Sequence, residues 1–180
     1  MKSEKRTRDP GLIRYHRRMA GFTDTYLGRL RKAVGNRRIL MPGARIVVEN
    51  PEGKFLLQER SDFGVWGLPG GNTEEGEDIA SIIVREVKEE TGLSIESPAA
   101  YGFASDPEFE TITYPNGHVC QFFVMMFFTK SFQGAAQVAD DESLSVGWFA
   151  PDALPEMLPN MQRSIEAYLR FQRTGTFQMI

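Results

Sequence analysis

The sequence predicts a three-layer α/β/α sandwich around a mixed β-sheet, and three features predict it. Short apolar runs separated by turn signals read as β-hairpins. The run Phe122 to Phe128 is apolar without alternation, as in a strand covered on both faces. Segments 24–34, 77–91 and 161–173 repeat apolar residues at helical spacing and can supply the two covering layers.

The chain has 180 residues, 41% of them hydrophobic and 25% charged, which suits one globular domain with a proper core. Its single cysteine, Cys120, excludes an internal disulfide and sits in an apolar run as a small buried hydrophobe. The first twenty residues lack the apolar core of a signal peptide, and the longest apolar run, near Val119 to Phe128, is too short to span a membrane. A cytoplasmic protein with no membrane association is the expectation. The net charge of −3 hides an asymmetry, because 13 of the 21 Lys and Arg precede residue 46 with only 3 of the 24 Asp and Glu. Such a basic segment either steers polyanions or pairs with the acidic body.

Met1 to Asp9 reads as a loose end, and Pro10 to Ala20 as a short helix carrying Leu12, Ile13, Tyr15 and Met19. A better helix runs over 24–34, where Asp24 can cap, Tyr26, Leu30 and Ala33 share a face, and Gly35 can end it. Arg45 to Glu49 and Lys54 to Gln58 read as a hairpin about the turn Asn50-Pro51-Glu52-Gly53. After the 77–91 helix, Ala100 to Ala104 is a weak strand. Thr111 to Tyr114 and His118 to Thr129 form a second hairpin around Asn116-Gly117. A strand at 146–149 and a helix at 161–173, begun by Asn160 and closed near Gly175, complete the chain.

The stretch from Trp66 to Leu93 carries the chemistry. Trp66-Gly67-Leu68-Pro69-Gly70-Gly71 is a glycine loop through which backbone can approach a ligand closely. In the helix that follows, Ile79, Ile83 and Val87 make an apolar stripe, and Glu86, Glu89 and Glu90 stand at i, i+3 and i+4 beside it. Like charges so placed cost about 0.2–0.5 kcal/mol per pair on an exposed helix, and more beside a core. A divalent cation reverses that sign, and an all-oxygen donor set selects Mg²⁺, Mn²⁺ or Ca²⁺.

Here the sequence resembles the Nudix hydrolases, whose signature is Gly, five residues, Glu, seven residues, Arg-Glu-aliphatic-any-Glu-Glu-any-Gly-aliphatic. Gly71, Glu77, Arg85, Glu86, Val87, Glu89, Glu90, Gly92 and Leu93 fill every fixed position. The resemblance implies hydrolysis of a diphosphate linkage in a nucleoside diphosphate derivative, with Mg²⁺ as cofactor and Mn²⁺ as its substitute. On it, 41–180 is the Nudix hydrolase domain and 1–40 a basic, partly helical N-terminal extension. Glu86, Glu89, Glu90 and the Gly71 carbonyl are implied as metal ligands, Arg85 as the group that orients a carboxylate, and Glu77 as a structural residue. Family members take the water's proton with a signature glutamate, here Glu86, or with a loop carboxylate, here Glu142 in Asp140-Asp141-Glu142; both stay open.

Arg60 and Trp66, just before and within the glycine loop, are the candidate substrate contacts, with Phe63 beside them. His118 reads as solvated. ADP-ribose-like nucleotide sugars are the favoured small-molecule substrates. Nucleoside triphosphates and dinucleoside polyphosphates are the alternative, and nucleic acid enters only as an RNA 5′ end. Pro107 and Phe109 lie near positions that some subfamilies use to mark their substrates, without a spacing that decides. A third reading is a non-catalytic nucleotide- or RNA-binding module, against which the intact signature speaks. Homodimers are common in the family, and nothing in this sequence marks an interface.

Overall fold

The computed structural model describes residues 22–180, so the helix expected at 10–20 lies outside the described residues. Phe22–Asp24 make a 3-10 turn into helix α1 (Tyr26–Val34). Strands β1 (Ile39–Val48), β2 (Phe55–Arg60), β3 (Trp66–Gly67) and β4 (Gly70–Asn72) lead to helix α2 (Ile79–Thr91). Then come β5 (Ser94–Ile95), β6 (Ala99–Ala104), a short α3 (Pro107–Glu110), β7 (Thr111–Thr113) and the long β8 (Val119–Thr129). β9 (Phe132–Gln133), β10 (Ser143–Phe149), α4 (Pro159–Thr174) and β11 (Gln178–Met179) close the chain.

The large sheet has the order β11-β6-β8-β1-β4, with β7 also on β8. It is mixed, since β1 runs parallel to β8 and β11 to β6, while the other pairs are antiparallel. The residues of β1 alternate between two cores. Ile39, Met41 and Val47 join one core with Tyr101, Met126, Ile165 and Tyr168, under α4. Ala44, Ile46 and Val48 join the other with Ile82, Ile83 and Val87 of α2. From β8, Phe122, Val124 and Met126 face the first core, and Met125 and Phe127 the second. The run without alternation is thus covered on both faces, as predicted, and the layers are α, β, α. Tyr26, Leu27, Leu30 and Val34 of α1 pack on the first core.

The structure departs from the sequence reading at several element ends. The turn at Asn50 forms, its Oδ1 accepting from Glu52 N at 3.0 Å and Lys54 N at 2.9 Å, but the strands it joins do not pair beyond one bridge, Glu49 to Phe55. β8 pairs along the whole of β1 and β4 takes its other edge at Gly43 to Arg45, while β2 pairs with β10 and β3. α1 is capped by Thr25, whose Oγ1 accepts from Gly28 N at 3.0 Å, rather than by Asp24, and Ala33 is exposed. α2 begins at Ile79 rather than Glu77, because Asp78 caps it through Ala80 N and Ser81 N. α4 begins at Pro159, which places Asn160 inside the first turn, buried. No helix among the described residues is long and apolar enough to cross a membrane.

Candidate active site

The glycine loop and α2 meet because two side chains are missing. A Cβ on Gly70 would stand 2.4 Å from the Ala44 carbonyl oxygen, so β4 can lie against β1 only with glycine there. A Cβ on Gly71 would stand 2.0 Å from Glu86 Oε1, so the second glycine is the space into which the Glu86 carboxylate reaches. The Gly71 carbonyl in turn faces Gly43 of β1, where an added Cβ would be 2.9 Å away. Two strands, β1 and β4, and helix α2 therefore converge with only the Glu86 side chain reaching in between.

Arg85 organises the carboxylates of α2. Its Nε donates to Glu77 Oε1 at 2.6 Å, and its Nη1 donates to Glu86 Oε1 at 2.8 Å and Glu89 Oε2 at 2.9 Å. Burial alone would lower the guanidinium's proton affinity, and the bond to Glu77 with the charges around it reverses that, so Arg85 stays protonated. Glu77 lies outside the helix and also accepts from Glu74 N at 3.1 Å, which ties the loop to the helix start.

The three glutamates are not equivalent. Glu89 is 49% exposed, whereas Glu90 is 2% exposed and accepts from Gly70 N at 3.0 Å. Arg85 does not reach Glu90. Burial, then the charge of Glu86, raises the Glu90 pKa well above its ordinary value, against a hydrogen bond from Gln58. Glu86 is pushed up to about 7 by burial, opposed by Arg85, with the charges of Glu89 and Glu142 adding to the rise. Glu142 itself is raised by burial and by Asp140.

These groups line a cleft of about 690 Å³. Gly71, Arg85, Glu86, Glu89 and Glu90 form one wall, and Asp140, Asp141 and Glu142 border it from the loop before β10. That loop is fixed by Ser61 N, which donates to the Glu142 carbonyl at 2.9 Å. Arg60 also lines the cleft and is held by Asp62 through bonds of 3.0 and 2.6 Å. Trp66 does not line it. Its ring packs edge-on against Phe149 at 4.6 Å beside the first core, because β3 turns that face inward, and so the candidate contact becomes a packing residue. Sequence reasoning missed Gln58, Gly43 and Asn160 on the cleft wall; only fold-level pairing brings them there.

Among the described residues no three acidic, His or Cys side chains stand close enough to hold a metal ion as they are, since Arg85 draws Glu86 and Glu89 to itself while Glu90 turns to Gly70. The donor set still fits a hard cation. It consists of carboxylate oxygens and a backbone carbonyl left open by Gly43, and its buried pair Glu86 and Glu90 repel each other.

A family model described as NUDIX domain matches residues 39–170. A relative from Bacillus subtilis (strain 168), named "Putative 8-oxo-dGTP diphosphatase", is 32% identical over 127 residues, which is 70% of this chain and 78% of the relative. An ADP-ribose pyrophosphatase from Methanocaldococcus jannaschii is 31% identical over 124 residues, 67% of this chain and 69% of the relative. The crystal structure of a MutT NUDIX hydrolase from Burkholderia pseudomallei superposes with a TM-score of 0.60 at 26% identity, covering 71% of this chain and 97% of that one. The match spans the glycine loop, α2 and the loop before β10, and the chain belongs to the Nudix hydrolase family.

Proposed function

We propose that this Nudix hydrolase cuts the diphosphate linkage of a nucleoside diphosphate derivative with Mg²⁺, or Mn²⁺ in its place, held by Glu86, Glu89, Glu90 and the Gly71 carbonyl. The observation that carries the reading is Glu90, a carboxylate 2% exposed, beyond the reach of Arg85 and set against the charge of Glu86. Such a group is costly to ionise unless a cation joins it. Bound there, the cation would polarise phosphate oxygens and lower the pKa of a bound water.

The chain's own residues supply the rest. Arg85 bonds the Glu86 and Glu89 carboxylates and so limits the positions from which they would turn to the cation. Arg60 lines the cleft with an Nη1 that has no hydrogen bond among the described residues, and it is the phosphate contact. Glu86, which reaches into the cleft beside Gly71, is the candidate to accept the water's proton, and Glu142 is its competitor for that role. Glu142→Gln separates them. An unchanged rate and pH profile leaves Glu86 as the base, and loss of the acidic limb of the profile assigns Glu142.

The cleft has the volume of a small-molecule site. The names of the relatives point to two substrate classes, ADP-ribose and oxidised nucleoside triphosphates. ADP-ribose-like nucleotide sugars remain the first class to test. Purified protein with Mg²⁺ is assayed for phosphate-bearing products from nucleoside diphosphate sugars, normal and oxidised nucleoside triphosphates, dinucleoside polyphosphates and 5′-triphosphorylated RNA. One strong cation-dependent hit names the substrate. Silence across the panel, with retained nucleotide binding, favours a non-catalytic binding module.

The two glycines give a paired prediction. Gly70→Ala meets backbone, the Ala44 carbonyl, and is expected to destabilise the fold by several °C in thermal melting. Gly71→Ala meets the Glu86 side chain, both its carboxylate and its Cγ, and this side chain can swing away where backbone cannot. It is expected to keep the melting temperature within a few degrees while lowering kcat at least about 10-fold. Equal activity in Gly71→Ala would remove the Glu86 cradle from the mechanism.

A further inference from the structure

Phe63 belongs to neither hydrophobic core, yet it is only partly exposed. It stands in the turn between β2 and β3, and its main aromatic neighbour is Tyr114, at the end of β7, with ring centroids 5.5 Å apart and planes tilted by 41°. The two turns come from different sheets and meet at the cleft, which both rings line. Tyr114 is anchored, because its ring packs on the first core, and its turn is closed by bonds from Tyr114 N to the His118 carbonyl and from Gly117 N to the Tyr114 carbonyl, both 2.9 Å. Phe63 is the less constrained partner, next to Gly64 at φ 65°.

A small satellite cluster under a loop would explain two touching rings. It does not explain the Tyr114 hydroxyl. That group has no hydrogen-bond partner among the described residues, and Tyr114 lines the same cleft as Arg60, Asp62 and Glu142. The guanidinium carbon of Arg60 lies 5.8 Å from the Phe63 ring centroid, so the candidate phosphate contact and the aromatic wall are neighbours. A phosphate held by Arg60 therefore places whatever the nucleotide carries next to these rings. A flat, apolar, polarisable group fits them, and sugar or phosphate alone does not.

We propose that Phe63 and Tyr114 form the wall on which the substrate's nucleobase stacks, so that they set the enzyme's preference for base-bearing over base-free phosphate esters. The assignment rests on the diphosphate-hydrolase reading, and it deepens it by fixing which end of the cleft takes the base. Stacking tolerates any base, since each has a π-face, so the wall demands a base without choosing among them.

The test measures binding of the full-length protein by calorimetry to AMP, GMP and ribose 5-phosphate, and then KM and kcat on the best substrate. Phe63→Ala and Tyr114→Ala are each expected to weaken mononucleotide binding about 10- to 100-fold, to leave ribose 5-phosphate binding unaltered, and to act on KM more than on kcat. Tyr114→Phe keeps the ring and is expected to stay within about 3-fold of the parent. Phe63 lies outside both cores, so its variant remains informative if Tyr114→Ala fails to fold. Unchanged mononucleotide binding in Phe63→Ala, or an equal loss for ribose 5-phosphate, overturns the proposal, as does a parent that binds no mononucleotide better than ribose 5-phosphate. Base-dependent binding without hydrolysis would instead remove the hydrolase reading and leave the wall standing.

Discussion

Glu90→Gln is expected to lower cation-dependent hydrolysis by at least about 100-fold, since even residues that only support a metal ligand contribute about 10- to 100-fold. The same substitution is expected to raise the stability of the cation-free protein at neutral pH. Glu86 and Glu90 both hold their protons more tightly in the fold than in the unfolded chain, where the ordinary value is 4.5. Below pH 4.5 both states are protonated, and burying the two groups carries no charge penalty. As the pH rises, the unfolded chain ionises first, so the cation-free fold loses stability from about pH 4.5 up to about 7 for Glu86, and over a wider span for Glu90. Glutamine has no proton to lose and keeps an acceptor for Gly70 N, so the variant's melting temperature should fall less between pH 5 and pH 8 in the presence of a chelator. Adding Mg²⁺ should then raise the melting temperature of the parent at pH 8 and leave that of the variant nearly unmoved. Thermal melts of both proteins at both pH values, with and without Mg²⁺, read all of this at once. A variant that keeps its activity, or that gains as much from Mg²⁺ as the parent, would remove Glu90 from the cation site.

The division between Glu89 and Glu90 also shows what the sequence could and could not say. The sequence reading sets all three glutamates beside the apolar stripe, whereas the structure buries Glu90 on it, three residues after Val87 and seven after Ile83. The glycine loop, Arg85 and the α2 carboxylates were legible because their spacing is local, within one turn and one helix. The Asp140 to Glu142 loop was legible only as a position in the family's fold, and Ser61 N, which fixes it, lies about eighty residues away in sequence. Nothing local told that β1 would pair along its length with β8 and that β2 would pair with β10 and β3 rather than with β1. Trp66 failed as a substrate contact for a related reason, since the face it presents depends on β3 pairing with β2 and on Phe149 arriving from β10. Tyr114 looked like a hairpin residue, and only the meeting of two turns from separate sheets made it part of the cleft.

The largest stability effect is expected at a pair that local sequence patterns do not indicate. Arg45 and Glu110 are 4% and 2% exposed, and Arg45 Nη2 donates to Glu110 Oε2. Arg45 Nη1 donates to the Asn160 carbonyl at 3.0 Å and to Ser164 Oγ at 3.1 Å, so one guanidinium joins β1, α3 and α4. Two charges taken from water gain little net stability from each other, but removing one strands the other. Glu110→Gln and Arg45→Met are therefore each expected to cost about 3–5 kcal/mol, measured by urea unfolding, and for a chain of this size to lower the melting temperature by about 6–20 °C. The double substitution Arg45→Met with Glu110→Leu removes both charges and should recover most of the loss, a strong coupling that distinguishes a buried pair from a surface one. Arg45 is also the register partner of Gly70, whose N–H holds Glu90. If the single variants fold at low temperature yet bind Mg²⁺ more weakly, the pair supports the geometry of the loop as well as the core. If each single loss is below about 1 kcal/mol, Arg45 reaches water more readily than its burial implies, and the pair does not tie the three elements together.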